Sequence, residues 1–108
     1  MAIPHAKSGD VIDVRPPGTL MADSKTATLV KTDTLEVIRL VVLSGKDIAP
    51  HKTKGEVTVY CAEGSVGILV NGATQVLDSG QLMYLAPGEL HAVHGIANAT
   101  LLVTILLH

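Results

Sequence analysis

Residues 45–64 read GKDIAPHKTKGEVTVYCAEG, and residues 80–91 read GQLMYLAPGELH. Both stretches carry short runs of strand-forming residues that end at glycine or proline, and neither sustains a helical repeat. The rest of the chain has the same pattern, with runs of Val, Ile and Leu separated by Gly, Pro, Asn and Asp. This pattern predicts an all-β fold, since many short strands at regular spacing are typical of a sandwich or a barrel.

The apolar runs predict nine strands, whose bounds are Val11–Val14, Ala27–Lys31, Leu35–Leu43, Glu56–Ala62, Val66–Val70, Thr74–Leu77, Gln81–Ala86, His91–His94 and Leu101–Leu107. Asn71 and Gly72 predict a type I′ hairpin turn, because both residues tolerate a positive φ. Pro16 and Pro17 forbid a continuous strand, since proline has no amide hydrogen for a ladder. We therefore predict an N-terminal arm at residues 1–25 and a barrel domain at residues 26–108.

Composition limits the class of protein. The chain has 108 residues, which suits one domain, and it is 47% hydrophobic and 17% charged, which excludes a disordered chain. The net charge is −2 and no basic cluster is present, so we expect no nucleic-acid partner. The apolar runs are far shorter than the ~20 residues that span a bilayer, so we expect no membrane role. A lone cysteine, Cys61, and a terminus without an apolar export segment predict a cytoplasmic protein.

The two quoted stretches resemble the two sequence motifs of the cupin family. The matching residues are Gly45, His51 and Gly64 in the first motif and Gly80, Gly88 and His91 in the second. The order of the motifs and the spacing of the glycines carry the resemblance. It implies a single-domain jelly-roll β-barrel of the RmlC-like type, in which paired hairpins present the motif residues to the barrel interior.

The chain departs from the family at four motif positions. Thr53 replaces the second His, Val57 replaces the Glu, Ala86 holds the proline position with Pro87 one place late, and Gly95 replaces the Asn. In the family, three His and the Glu hold a divalent metal such as iron, manganese, nickel or zinc. The resemblance therefore implies a degenerate metal site with only His51 and His91. Two imidazoles make a weak site, so we predict either no cofactor or a weakly held divalent transition metal.

Glu56 and His94 are alternative third ligands. Side chains alternate along a strand, so Glu56 is expected to face away from the apolar set formed by Val57, Val59 and Cys61. A β-bulge before Val57 would turn Glu56 inward. His94 has the same difficulty, because regular alternation places it on the face opposite His91.

The candidate site residues support several functions. The first hypothesis is a binding protein or enzyme that takes a small organic molecule at the barrel mouth through His51, Thr53 and His91. The alternative is a metal-dependent dioxygenase or isomerase that uses His51, His91 and a third ligand such as Glu56. Metal-free acid–base catalysis by one imidazole and a regulatory sensor domain are further alternatives, and the sequence leaves open whether the protein is an enzyme.

The apolar content also predicts a homodimer. Val11, Ile12 and Val14 of the arm have few ways to become buried within a domain of this size. Open sheet edges also favour pairing with another chain. We therefore expect a small-molecule ligand and a second copy of the chain as partners.

Overall fold

A computed structural model describes residues 5–14 and 26–107 of the chain. Within these residues the chain forms strands, turns and irregular segments, which confirms the all-β prediction. The strands are β1 (Ala27–Lys31), β2 (Leu35–Val42), β3 (Asp47–His51), β4 (Val57–Val70), β5 (Ala73–Asp78), β6 (Leu82–Leu85) and β7 (His91–Leu106). The described residues contain no helix that is long and apolar enough to cross a bilayer.

β4 and β7 are the longest strands, with 14 and 16 residues, and each merges two predicted strands. The sequence breaks near Gly64 and Gly95 are not chain reversals. The ladder between β4 and β7 continues past both glycines, with register shifts between Cys61 and Val66. Such bulges bend a strand without ending it. The tight turn at Asn71 and Gly72 is confirmed, with φ values of 54° and 77°, and it joins β4 to β5.

The two long strands are shared by both halves of one folded antiparallel sheet. The half that we call the β1 half has the order β1-β2-β7-β4-β6 and uses the C-terminal part of β7 and the N-terminal part of β4. The β3 half has the order β3-β7-β4-β5 and uses the other part of each long strand. β4 and β7 therefore position both halves relative to each other.

The core lies between the two halves and is lined by alternate residues of the shared strands. Val57, Val59 and Cys61 come from the N-terminal part of β4, and Val66 and Ile68 come from its C-terminal part. All five are buried in one apolar cluster. The predicted inward facing of the first three is thereby confirmed, and no register shift precedes them.

Cys61 is a core residue. Its thiol donates to the carbonyl oxygens of Glu63 and Gly64 at 3.3 and 3.5 Å. Burial raises the pKa of the thiol, so the neutral form is favoured and the sulfur is a poor nucleophile.

Strand β3 is missing from the sequence-based prediction because Pro50 cannot donate to a ladder. β3 pairs with β7 through Asp47 and His94, and through His51 and His91, with an irregularity around the proline. Among the described strands its only neighbour is β7, so it lies at an edge of the sheet. An edge is the position where a sheet tolerates proline.

The predicted strand at Val11–Val14 is wrong. Residues 11–14 are irregular and pair with no strand in the described part of the chain, and Val11 is 96% exposed. Alternating apolar residues form a strand only where a neighbouring strand pairs with them. The arm contacts the barrel further upstream, where the amide of Ala6 donates to the carbonyl of Leu29 at 2.9 Å. Pro16 and Pro17 lie outside the described residues, and the domain boundary at residue 25 remains a prediction.

Two glycines allow close backbone approach where the long strands bend. Gly64 has a φ of 79°, and a Cβ placed there would overlap the carbonyl group of Asn98. A Cβ on Gly95 would overlap the carbonyl group of Leu43. Gly95 therefore occupies the motif position of the family's Asn for a packing reason, since a larger residue has no space there.

Replacing Gly64 with alanine should destabilise the barrel more than replacing Gly80. The two glycines have φ values of 79° and 87°, and alanine in this region costs about 1–2 kcal/mol of strain. Only at Gly64 does the added Cβ meet backbone atoms, and overpacking of this kind adds about 1–3 kcal/mol. Urea unfolding followed by circular dichroism measures the difference. Equal losses for Gly64→Ala and Gly80→Ala would contradict the close approach.

Candidate functional site

The candidate site is formed by two histidines that face each other across the β3–β7 ladder. His51 ends β3 and His91 begins β7, and the two are register partners. Their ring centroids are 4.2 Å apart, and the ring planes meet at 61°. His91 is buried with 6% of its surface exposed, whereas His51 is exposed. The pair therefore lies at the border between the core and solvent.

A backbone carbonyl holds each imidazole. Nδ1 of His51 lies 3.1 Å from the carbonyl oxygen of Ala49, and Nδ1 of His91 lies 3.0 Å from the carbonyl oxygen of Glu89. A carbonyl oxygen only accepts hydrogen bonds, so Nδ1 of each ring carries the hydrogen. In the neutral ring Nε2 then bears a free lone pair. The site thus presents two imidazole Nε2 acceptors whose tautomer is set by the backbone.

Neither carbonyl is recognisable from the sequence as a functional group. Each belongs to the residue two positions before its histidine, Ala49 in one case and Glu89 in the other. The repeated spacing is the one signal that the sequence offers, and it has meaning only once both histidines are known to lie at strand ends. The backbone conformation that directs each carbonyl to the ring is visible in the structure alone.

Thr53 follows His51 by two residues, in the loop between β3 and β4. Its hydroxyl donates to the carbonyl of Gly55 at 3.0 Å, and its carbonyl accepts from the amide of Gly88 at 2.9 Å. The second bond joins this loop to the loop that leads into His91. Thr53 therefore helps to hold the two histidine-bearing loops together, and its hydroxyl oxygen can still accept a bond from a ligand.

Val57 and Glu56 point in opposite directions. Val57 is 2% exposed and packs in the apolar core, whereas Glu56 is exposed and accepts a hydrogen bond of 2.5 Å from the hydroxyl of Tyr84. This hydrogen bond to the carboxylate raises the pKa of Tyr84. The structure thus brings Val57, and not Glu56, to the inner side of β4.

His94 lies on the outer side of the β3 half. Its Nδ1 and an oxygen of Asp47 are 2.5 Å apart, and both side chains are exposed. The two residues are register partners on β7 and β3. The sequence did not indicate this partner, because Asp47 belongs to β3, which was not predicted as a strand since it contains Pro50. His94 is therefore separated from His91 by the thickness of the sheet, as alternation predicts.

A shallow apolar groove runs along this outer side. Its first part has a volume of about 310 Å³ and ends at Asp47 and His94. A second part of about 240 Å³ is lined by His91 and by the turn at Gly72. Both parts are bordered by Pro50, Leu69 and Ala92. The Asp47–His94 pair therefore lies at one end of the groove and His91 lines the other part.

The donor set does not fit the metal site of the cupin family. Within the described residues no three His, Cys, Asp or Glu side chains converge as a metal site requires. The family's Glu position is held by Val57 in an apolar cluster, and its second His position is held by Thr53. A catalytic zinc normally has three protein ligands, and a non-haem iron site has two His and a carboxylate. His51 and His91 alone do not meet either requirement.

A profile of the AraC-like ligand-binding domain family matches residues 43–106, which is more than half of the chain and includes both histidines. The chain belongs to this family. The AraC-like ligand-binding domain is of the cupin type, which confirms the resemblance to cupins. No curated protein matches the chain significantly.

Solved structures show the same fold for this AraC-like domain. A conserved protein of unknown function from Streptococcus pyogenes has a TM-score of 0.77 at 18% identity, over 100% of this chain and 96% of that chain. A cupin superfamily protein from Desulfitobacterium hafniense has a TM-score of 0.76 at 13% identity, over 92% and 100%. A variant of salicylate 1,2-dioxygenase from Pseudoaminobacter salicylatoxidans has a TM-score of 0.69 at 16% identity, over 74% and 25%. These likenesses establish the jelly-roll architecture.

Introducing the two missing ligands should create a metal site. In the double variant Thr53→His with Val57→Glu, the new side chains join His51 and His91 at the family's ligand positions, so affinity for Zn²⁺ should rise by orders of magnitude. Without metal, the glutamate at position 57 is buried in an apolar cluster and should lower the unfolding free energy. Added Zn²⁺ should restore that stability, because metal binds the folded state alone.

Calorimetry on the wild type and the double variant measures both effects. Val57→Gln is the matched control, since it adds a polar group of similar size without a charged ligand. A folded double variant that binds Zn²⁺ no better than the wild type would contradict the assignment of positions 53 and 57 to the ligand set.

Proposed function

We propose that this AraC-like domain binds a small organic molecule at the barrel mouth through His51 and His91. The observation that carries the proposal is the pair of Nε2 atoms on adjacent rings, each left free because a backbone carbonyl takes the Nδ1 hydrogen. Two acceptors with fixed tautomers suit a ligand that carries hydroxyl or amine donors. Thr53 adds a third polar group at the rim.

The surroundings of the pair support a ligand site. His91 is followed on the inner face by Val93, and Val57 and Leu85 belong to the same buried apolar cluster. Ligand sites in proteins are mostly apolar, with a few polar groups that fix orientation. The expected ligand is therefore partly apolar, with its donor groups on one side. Membership of a family of ligand-binding domains also favours binding as the function.

A metal-dependent enzyme is the second candidate. An imidazole ligates a divalent metal through its unprotonated nitrogen while the other ring nitrogen donates to a carbonyl. His51 and His91 both have this arrangement. The similar fold of salicylate 1,2-dioxygenase is compatible with this candidate. It requires a third donor from the ligand, from solvent or from outside the described residues. The binding function needs no such addition and is the one that we favour.

Substitution of either His51 or His91 should weaken ligand binding, whereas substitution of His94 should not. Ligand-observed NMR with a panel of monosaccharides, polyols and aromatic acids identifies binders of the wild-type protein. His51→Gln and His91→Gln should each weaken binding of such a ligand at least about tenfold, since a ligand donor that is left without its acceptor on binding costs about 1–3 kcal/mol. His94→Gln is the matched control, because His94 lies on the opposite side of the sheet. A binder that is lost only in His94→Gln would contradict the proposed site.

Metal content separates the two candidates. After dialysis against a chelator, the purified protein should contain well under one equivalent of transition metal, because two protein ligands do not fix a coordination geometry. Mass spectrometry of the metal content provides the measurement. One equivalent of tightly held metal that His91→Gln removes would favour the enzyme.

A further inference from the structure

The loop before β7 supplies the carbonyl that orients His91. The amide of Glu89 donates to the carbonyl of Ala86 at 3.2 Å, which closes a four-residue turn. Pro87 at its second position and Gly88, with a φ of 74°, at its third are typical of a type II turn. The turn holds the amide end of Glu89. Its carbonyl end, which accepts from Nδ1 of His91 at 3.0 Å, lies beyond the turn.

The side chain of Glu89 provides a second point of attachment. Nδ2 of Asn71 lies 3.1 Å from Oε1 of Glu89. A carboxylate only accepts hydrogen bonds, so Asn71 is the donor. A hydrogen bond to an ionised group is stronger than one between neutral groups. Glu89 is thus held at its amide and at its carboxylate, and its carbonyl is directed to His91.

Asn71 lies at the same end of the sheet as His91. It belongs to the two-residue turn between β4 and β5, in which Asn71 and Gly72 have φ values of 54° and 77°. Val70, the residue before this turn, is the register partner of His91. Asn71 and His91 also line the same part of the groove. A tight turn on a paired strand is therefore the support that holds the side chain of Glu89.

We propose that Asn71 is a positioning residue for His91 and acts through Glu89. The contacts run from the amide of Asn71 to the carboxylate of Glu89, and from the carbonyl of Glu89 to Nδ1 of His91. Loss of the first contact lets Glu89 turn, so that its carbonyl no longer holds the Nδ1 hydrogen in every molecule. The inference rests on the proposed function, in which His91 binds the ligand through an unprotonated Nε2.

The effect should be confined to one ring of the pair. Nδ1 of His51 is held by the carbonyl of Ala49, which lies within β3. The methyl side chain of Ala49 forms no hydrogen bond, so the orientation of its carbonyl depends on the pairing of β3 with β7. A change at Asn71 should therefore alter the tautomer of His91 and leave that of His51 as it was. A general disturbance of this end of the barrel would affect both rings.

Exchange of donor and acceptor tests the contact. Asn71→Asp keeps the turn, since aspartate also suits it, but sets one carboxylate against another and should displace Glu89. Long-range proton–nitrogen NMR of the neutral rings should then show hydrogen on Nε2 of His91 in part of the molecules, with His51 unchanged. If about one fifth of the molecules keep the competent tautomer, the apparent Kd of a ligand at the pair rises about fivefold. Adding Glu89→Gln should restore the wild-type tautomer, because the glutamine amide donates to the new carboxylate.

Two further variants complete the test. Asn98→Asp is the matched control, because it makes the same change from amide to carboxylate at another exposed position. It also keeps the oxygen that accepts from the amide of Ser44 at 2.9 Å, so both rings should remain as in the wild type. Asn71→Gly removes the donor without adding a charge and also suits the turn. It should change His91 alone, so the test does not depend on the folding of Asn71→Asp.

The tautomers are measured without a ligand, which separates this inference from the binding function. A hydrogen that stays on Nδ1 of His91 in every molecule of both Asn71 variants would overturn the role of Asn71. So would an equal change in both rings, or a double variant that does not return to the wild-type tautomer. If the tautomers change as expected but the wild-type protein binds no member of the ligand panel, the role of Asn71 is supported and the proposed binding function fails.

Discussion

The antiparallel ladder between β4 and β7 is the constraint on which the rest of the structure depends. It runs from Val57 opposite Ile105 to Val70 opposite His91, and it therefore belongs to both halves of the sheet. The ladder bends where Gly64 meets Asn98, and a side chain at that glycine would separate the strands. Because Gly64 has no side chain, the two strands approach closely at the bend, and the two sheet halves can enclose one core. It also places the start of β7, and with it His91, at one end of the ladder.

The chemistry of the mouth follows from this arrangement. The ladder buries Val57 at one end of β4, and an apolar residue there removes the carboxylate that a metal would need. Pairing of β3 with β7 brings His51 against His91, and the backbone before each ring takes the Nδ1 hydrogen. What is left is a pair of acceptors in an apolar setting. Such a site suits recognition of a small molecule better than activation of a metal.

Much of the fold could be predicted because its signals are local. Alternation along residues 57–61 indicated which side chains face inward, and Asn71-Gly72 indicated the turn that joins β4 to β5. The glycines of the two motifs indicated the family. The continuity of β4 and β7 could not be predicted, because a bulge at Gly64 looks in sequence like the end of a strand. Strand β3 was missed for a related reason. A sheet tolerates proline at an edge, and the sequence does not show that the strand with Pro50 forms an edge.

The candidate site could be predicted only in part. His51 and His91 follow from the motif positions, but the carbonyls of Ala49 and Glu89 that orient them depend on backbone conformation. The pairing of Asp47 with His94 also depends on which strands are neighbours. The sequence therefore indicates the chemistry of each side chain, whereas its contact partner depends on which strands are neighbours in the sheet.

The proposed binding function depends on a free Nε2 in both His51 and His91. Long-range proton–nitrogen NMR correlation of the imidazole rings, recorded where the rings are neutral, reports which nitrogen carries the hydrogen. We expect a protonated Nδ1 and an unprotonated Nε2 in both rings, with His94 as an internal reference because Asp47 accepts from its Nδ1. A hydrogen on Nε2 of either His51 or His91 would contradict it.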